Sequence, residues 1–277
     1  MNKKFLSVLL SLAFVATSAT MLSGCDILAS LGGGTSSQES SSETNSQSES
    51  TSDSQSEEES ASSIDDAAIF GTEESEGLAY TLSKDQSHYL VSGLGECKDT
   101  KIVIPATYNG RPVLGVAEGN SQAGAGAFEG CQTLESIVLP EGATTIGAAA
   151  FASCRNLLRV SVPDSITMIE ETAFKGCSSL IYNEYENAKY IGSTENPYAV
   201  LMSAKSTAIE DCSIHEDAVM IIGKAFNKCK NLKSVTFETA KQWTTNSEDL
   251  AESDLKNTAT AATYLTDTYV AKAWLRK

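Results

Sequence analysis

Apolar residues recur at a fixed interval through the second half of the chain. The segment Ala127-Phe128-Glu129-Gly130-Cys131-Gln132-Thr133-Leu134-Glu135-Ser136-Ile137-Val138-Leu139-Pro140 returns as Ala150-Phe151 through Val162-Pro163. A third copy opens at Ala173-Phe174-Lys175-Gly176-Cys177, and another runs from Ala225-Phe226 to Val235-Thr236-Phe237. Phe128, Phe151 and Phe174 are each 23 residues apart; Phe226 follows after one unit stretched to 29 and one of 23. Within that gap Ile209, Cys212, Ile214 and His215 take the places of Leu134, Ile137, Leu139 and Pro140. Ile137 and Leu139 alternate with polar or exposed positions, which is the pattern of a short strand with one buried face. Pro140 ends that strand because it has no N–H for the ladder. Ile146 and Phe151 then bring the chain back to the interior. One unit cannot cover its own apolar side, so units stack, equivalent residues fall into columns and the strands pair in parallel.

The ends of this pattern need covers. An early partial copy, Lys101-Ile102-Val103-Ile104-Pro105, leads through the turn signal Asn109-Gly110 into the first full unit. Residues 79–97, with Tyr80, Leu82, His88-Tyr89-Leu90-Val91 and Gly93-Leu94-Gly95, predict a capping β-hairpin. Residues 238–277 leave the repeat. There Ala262, Leu265, Tyr269 and Ala273 have helical spacing, and Trp243 and Trp274 are available to cover the last unit. The predicted fold is a β-rich solenoid of about six units with terminal caps, spanning 78–237 and closed by 238–277.

The pattern Leu-x-x-Ile-x-Leu-Pro, then Ile-Gly, then Ala-Phe-x-x-Cys resembles the BspA-like leucine-rich repeat of bacterial surface proteins, over roughly residues 79–237. The stretched unit carries Asn183-Glu184-Tyr185, Tyr190-Ile191-Gly192 and Glu195-Asn196-Pro197-Tyr198-Ala199-Val200-Leu201. It resembles an inserted hairpin of such proteins, placed at 185–203. Asn183 departs from the pattern, since an apolar residue is expected there. The resemblance implies a non-enzymatic role at the cell surface, in contact with a host or bacterial surface protein or glycan, such as adhesion.

The beginning of the chain is of a different kind. Lys3 and Lys4 precede a mostly apolar run from Phe5 to Met21, followed by Leu22-Ser23-Gly24-Cys25. This three-part layout predicts an export signal over 1–24, and its end resembles the bacterial lipobox. The resemblance implies that Cys25 is acylated and becomes the mature N-terminus, held on the extracellular face of the membrane. Each buried methylene contributes about 0.8 kcal/mol, so two or three acyl chains hold a protein stably. Residues 25–77 then form a Ser/Glu-rich tether. Thirteen acids and no Lys or Arg lie between Asp26 and Glu76, which accounts for most of the net charge of −16. Such a stretch cannot offset chain entropy by burial and is predicted to be disordered. About 45 residues of it would reach on the order of 35–40 Å. No block of Lys and Arg tracks a phosphate backbone, which argues against a nucleic-acid partner.

Candidate chemistry is sparse. Cys131, Cys154, Cys177 and Cys229 recur with the period, and Cys97 and Cys212 lie elsewhere. They are expected as buried free thiols; bridges between neighbours are the alternative, and zinc is disfavoured because its motifs need close ligand pairs. His88 and His215 have no nucleophile or metal motif around them, and no cofactor is expected. Glu170-Glu171 and Glu216-Asp217 are adjacent pairs whose members point apart on a strand, unlike a glycosidase pair. Binding is the stronger expectation. The residues between the buried anchors face outward in each strand: Lys101 and Val103, Ser136 and Val138, Arg159 and Ser161, Tyr182 and Glu184, Asp211 and Ser213, Ser234 and Thr236. Stacking is expected to line them into one face, with Arg159 beside Tyr182, residue types that are enriched in binding hot spots. An envelope scaffold without an external ligand is the alternative, and a glycan-acting enzyme is a third, weaker one. The lipid anchor has a direct check. Cys25→Ala is expected to move the protein from the membrane fraction to the medium, and its retention on the membrane would refute acylation.

Overall fold

A computed structural model describes residues 69–119, 126–240, 242–245 and 248–277. The export signal, Cys25 and the tether up to residue 68 lie outside the described residues.

The chain coils into a β-solenoid. Lys101–Val103, Ser136–Val138 and Arg159–Ser161 pair in parallel, with Ile102, Ile137 and Val160 in register. On the return leg, Arg111–Val116, Thr145–Ile146 and Met168–Ile169 also pair in parallel, aligning Val116, Ile146 and Ile169. Between these legs the 23-residue beat becomes a column. The rings of Phe128, Phe151 and Phe174 stack in parallel, with centroids 5.5 and 5.2 Å apart and planes tilted by 5° and 10°. The backbone locks the same register: Phe128 N–H donates to the Ala150 carbonyl at 2.7 Å and Phe151 N–H to Ala173 at 2.8 Å. Leu134, Ile137, Ile146, Phe151 and Leu157 have no exposed surface. The Ile-Gly pair has a steric cause at Gly147. A Cβ there would lie 2.1 Å from the Glu118 amide nitrogen, so consecutive turns touch backbone to backbone.

The stretched unit breaks the coil. Asn183–Tyr185 folds back antiparallel on Ala188–Ile191, which pairs antiparallel with Val200–Ala204. Val200–Ala204 then resumes the parallel ladder with Met220–Ile221. Glu186 makes the reversal at φ 45°, in the left-handed region. Asn183 is the switch. Its amide donates to the Pro197 carbonyl at 2.8 Å and its oxygen accepts from Arg159 Nη1 at 3.3 Å. A half-buried polar side chain is thereby satisfied where the other units bury an apolar one such as Ile137, Val160 or Cys212. From the hairpin onward, Tyr190, Cys212, Ile221, Phe226, Val235 and Trp274 belong to a second core cluster.

Both ends are covered. Ala79–Leu82 pairs antiparallel with Tyr89–Gly93, which continues the return-leg sheet beside Arg111–Val116. The tether boundary at residue 77 needs correction, because the chain packs on the solenoid before it. Ser75 is buried, its N–H donates to the Val103 carbonyl at 2.8 Å, and its hydroxyl accepts from Val103 N–H at 3.2 Å. These bonds satisfy the open edge of the first repeat strand. At the other end Trp274–Arg276 pairs antiparallel with both Met220–Ile221 and Trp243–Thr245. Phe237 stacks on Trp274 and meets Trp243 edge-on. Helices at Glu252–Lys256 and Thr258–Thr263 and a wide turn at Tyr264–Thr268 complete the cap. The helical spacing read through Ala273 therefore stops short. Tyr269 and Ala273 lie past the last helical residue, because the chain must straighten for Trp274 to close the sheet edge.

The cysteines form part of the column. Cys97, Cys131, Cys154, Cys177, Cys212 and Cys229 are all free thiols. Cys154 Sγ donates to the Phe128 carbonyl at 2.9 Å and Cys177 Sγ to the Phe151 carbonyl at 3.0 Å. Each of these two thiols thus ties its own turn to the preceding one. Burial pushes the Cys154 and Cys212 thiols up to about 12, with the neighbouring Cys177 and Cys229 adding to the rise. Two results test this core. Phe151→Ala should lower stability by about 3–5 kcal/mol in chemical denaturation; a near-neutral midpoint would show that the column carries no load. Cys154 should resist a thiol-specific reagent near pH ~8, where an unburied thiol is partly ionised, and react fully once the chain is unfolded. Fast labelling of Cys154 in the native protein would contradict its burial.

Candidate interaction surface

The strand face expected to run across all units is interrupted. Lys101, Val103, Ser136, Val138, Arg159 and Ser161 share one three-stranded parallel sheet. Asp211, Ser213, Ser234 and Thr236 share a separate two-stranded one. The hairpin stands between them in the chain. Tyr182 precedes its first strand, and Glu184 pairs with Lys189 inside it rather than with Arg159 or Asp211. Two predicted contact residues are also covered. Ser136 is 1% exposed, and its hydroxyl donates to the Ile69 carbonyl at 2.9 Å, so the chain leading into the N-terminal cap crosses this position. Ser161 is 7% exposed.

The remaining residues are accessible to different degrees. Lys101, Val138, Arg159, Tyr182, Ser213 and Ser234 are half-buried; Glu184, Asp211 and Thr236 are exposed. Arg159 reaches Asn183, the residue after Tyr182. The Arg159 guanidinium is oriented by Asn183, and Lys189 Nζ sits 5.7 Å above the Tyr182 ring. Burial raises the Tyr182 hydroxyl above its ordinary range, so the group is a neutral donor at physiological pH. Glu184 is held below the usual carboxylate range by its hydrogen bond and 2.6 Å ion pair with Lys205.

A second row, one residue before the strands, was not singled out from the sequence. Glu135 N–H donates to the Thr100 carbonyl at 2.7 Å, Leu158 N–H to Glu135 at 2.8 Å, and Ile181 N–H to Leu158 at 2.9 Å. Thr100, Glu135, Leu158 and Ile181 therefore lie in line across four consecutive turns. Leu158 and Ile181 are 41% and 47% exposed, although both are large and apolar. A shallow groove of about 450 Å³ runs past Leu158, with Gln132, Glu135 and Asn156 on its walls. The signal was present in the Leu157-Leu158 and Leu180-Ile181 pairs. The first member of each pair is the buried anchor, and the second occupies a position that holds Glu135, Glu210 and Lys233 in the other units.

The arrangement offers contact more than chemistry. His215 stacks on Tyr198 at 4.2 Å, and its Nδ1 accepts from the Asp217 N–H at 3.1 Å. His88 Nδ1 lies 2.8 Å from the Ser87 hydroxyl. Both histidines are thus engaged in local turns.

A profile of the BspA type leucine rich repeat region matches residues 116–195 and 202–262, in six copies. Among solved structures, a leucine rich repeat protein of T. pallidum is 26% identical, over 58% of this chain and 68% of that one, with a TM-score of 0.38. A leucine-rich repeat protein of Bacteroides ovatus is 24% identical, over 58% and 39% of the two chains, with a TM-score of 0.36. A leucine rich cell surface protein of Faecalibacterium prausnitzii is 17% identical, over 58% and 69%, with a TM-score of 0.23. No curated protein matches the sequence.

Proposed function

Because the chain belongs to the proteins with the BspA-type leucine-rich repeat, we propose that it is a lipid-anchored surface protein whose solenoid grips a partner at the cell exterior. The exposed Leu158–Ile181 row beside Arg159 and Tyr182 carries this reading. Fully burying one aliphatic side chain of this size contributes about 1.5–3 kcal/mol. Two such residues in a fixed row, flanked by an oriented guanidinium and a tyrosine, have the composition of a protein-contact hot spot. Repeat solenoids supply the rigid frame that such a patch needs. The contact is with a host or neighbouring-cell surface protein or glycan, which makes adhesion the biological role. The lipobox-like Leu22-Ser23-Gly24-Cys25 supports display on the outer face of the membrane, and the acidic tether supports reach away from it.

The patch can be tested without disturbing the fold. Cells displaying the whole protein would be screened against immobilised extracellular-matrix proteins and a glycan array. Leu158→Glu combined with Ile181→Glu should leave the chain folded at a cost of about 1 kcal/mol, since 41% and 47% of the two residues' surface already meets water. It should reduce capture by about tenfold or more. Unchanged capture by this double variant would move the site elsewhere, and no capture of any protein or glycan would favour a scaffold role.

A further inference from the structure

The return-leg ladder of the first turns stops at Met168–Ile169, which pairs with Thr145–Ile146 on one side only. On that paired side the Thr144 and Ile146 carbonyls accept from the Met168 and Glu170 N–H groups, both at 3.0 Å. One turn further on, the equivalent carbonyls belong to Thr167 and Ile169, and neither accepts from a backbone N–H among the described residues. The strand that would supply the donors is engaged elsewhere: Val200–Ala204 pairs with Ala188–Ile191 and with Met220–Ile221. The next turn is still alongside at Asp164, where Asn196 Nδ2 donates to the carboxylate at 2.7 Å, and it has left the ladder by Met168. A cleft of about 550 Å³ opens there. The strand edge from Thr167 to Glu171 lines one side, and Met220, Ala273 and Leu275 line it from across the interruption. Met168 is 43% exposed although it is large and apolar. Glu171 is held by Lys224 Nζ at 2.7 Å, whereas Glu170 is exposed and has no ion-pair partner among the described residues.

We propose that this edge takes an extended peptide of a partner protein as an added strand, in the register of the missing turn. A strand edge with unpaired carbonyls is a template for another chain, and main-chain hydrogen bonds to it supply affinity without regard to sequence. The ends of the solenoid are covered by Ser75 and by Trp274–Arg276; this edge has no such cover among the described residues. The ladder itself specifies the occupant. Val116, Ile146 and Ile169 are in register, so the next residue in that column is aliphatic. The residue after it falls beside Glu170, where a Lys or Arg meets the unpaired carboxylate and an Asp or Glu is repelled. The recognised segment is therefore extended, aliphatic and then basic. The cleft shares no lining residue with the groove beside Leu158, and the proposal does not rest on the Leu158–Ile181 row.

The probe is the capped peptide Ala-Thr-Thr-Ile-Lys-Ala, which copies residues 143–146 of the chain's own return strand and adds the basic residue. It would be titrated into the isotope-labelled whole chain, with the amide resonances of Thr167–Glu171 as the readout. These resonances should move and saturate with a Kd on the order of 1 mM. N-methylation of the second Thr and the Lys removes the two N–H groups aimed at the Thr167 and Ile169 carbonyls, and should weaken binding about tenfold. Replacing the peptide Lys by Glu should weaken it several-fold at low salt and less at high salt. Glu170→Lys should reverse that preference, so that the Glu peptide binds the variant better than the Lys peptide does. Equal binding of the N-methylated peptide would show that no strand is added and would overturn the proposal, whatever the variant does. So would an unchanged charge preference in Glu170→Lys, or no saturation by about 10 mM peptide. Shifts of the same resonances on concentrating the chain alone would assign the edge to a second copy and would equally overturn it.

Discussion

The structure depends on register between neighbouring turns. A turn of about 23 residues has an apolar side and nothing of its own to put against it. Only the next turn, placed so that like meets like, can close that side. Phe151 shows the constraint most directly: its ring lies parallel to that of Phe128 on one side and Phe174 on the other. The same spacing is enforced by the amide bonds from Phe128 to Ala150 and from Phe151 to Ala173. Side-chain packing and backbone bonding thus select one register, and a slip by a single residue would cost both. The thiols of Cys154 and Cys177 repeat this logic with a weak donor in a small, dry site.

A one-dimensional stack has two weaknesses, its ends and its interruptions, and the chain answers each with aromatic or polar detail. At the N-terminal end Ser75 occupies the open strand edge, and the tyrosine hairpin lies beside it. At the other end two tryptophans close over Phe237. The interruption at Asn183 is handled by hydrogen bonds, since an aliphatic side chain there would leave Arg159 Nη1 and the Pro197 carbonyl without this partner. These places, where the repeat rule is broken, are also where the surface becomes distinctive. Tyr182, Lys189 and Arg159 gather beside the hairpin, and the stacked tyrosines gather on the cap.

The proposed function follows from that division of labour. Positions that repeat are buried, so they hold the frame and cannot tell one partner from another. Positions that vary on the outside, such as Leu158 and Ile181 against Glu135, Glu210 and Lys233, are the ones that the proposed contact would read. Rigid turns hold these side chains at fixed separations, which lowers the ordering cost of binding.

The sequence by itself determined the period, the columns and the buried anchors, because a solenoid turn contacts only its neighbours and its pattern is therefore local. It also marked the stretched unit and Asn183 as exceptions. It did not determine the contact face. The six-strand ridge assumed that every unit pairs in parallel, and the hairpin's antiparallel closure removed Tyr182 and Glu184 from that ladder. Ser136 counts as free in the sequence because its cover, Ile69, lies sixty-seven residues away in the segment assigned to the tether, although Ala67-Ala68-Ile69-Phe70 is itself an apolar run. Whether an outward-pointing side chain meets water or another segment is a long-range fact. It is decided by where distant chain crosses the sheet, and no local pattern of apolar and polar residues encodes that crossing.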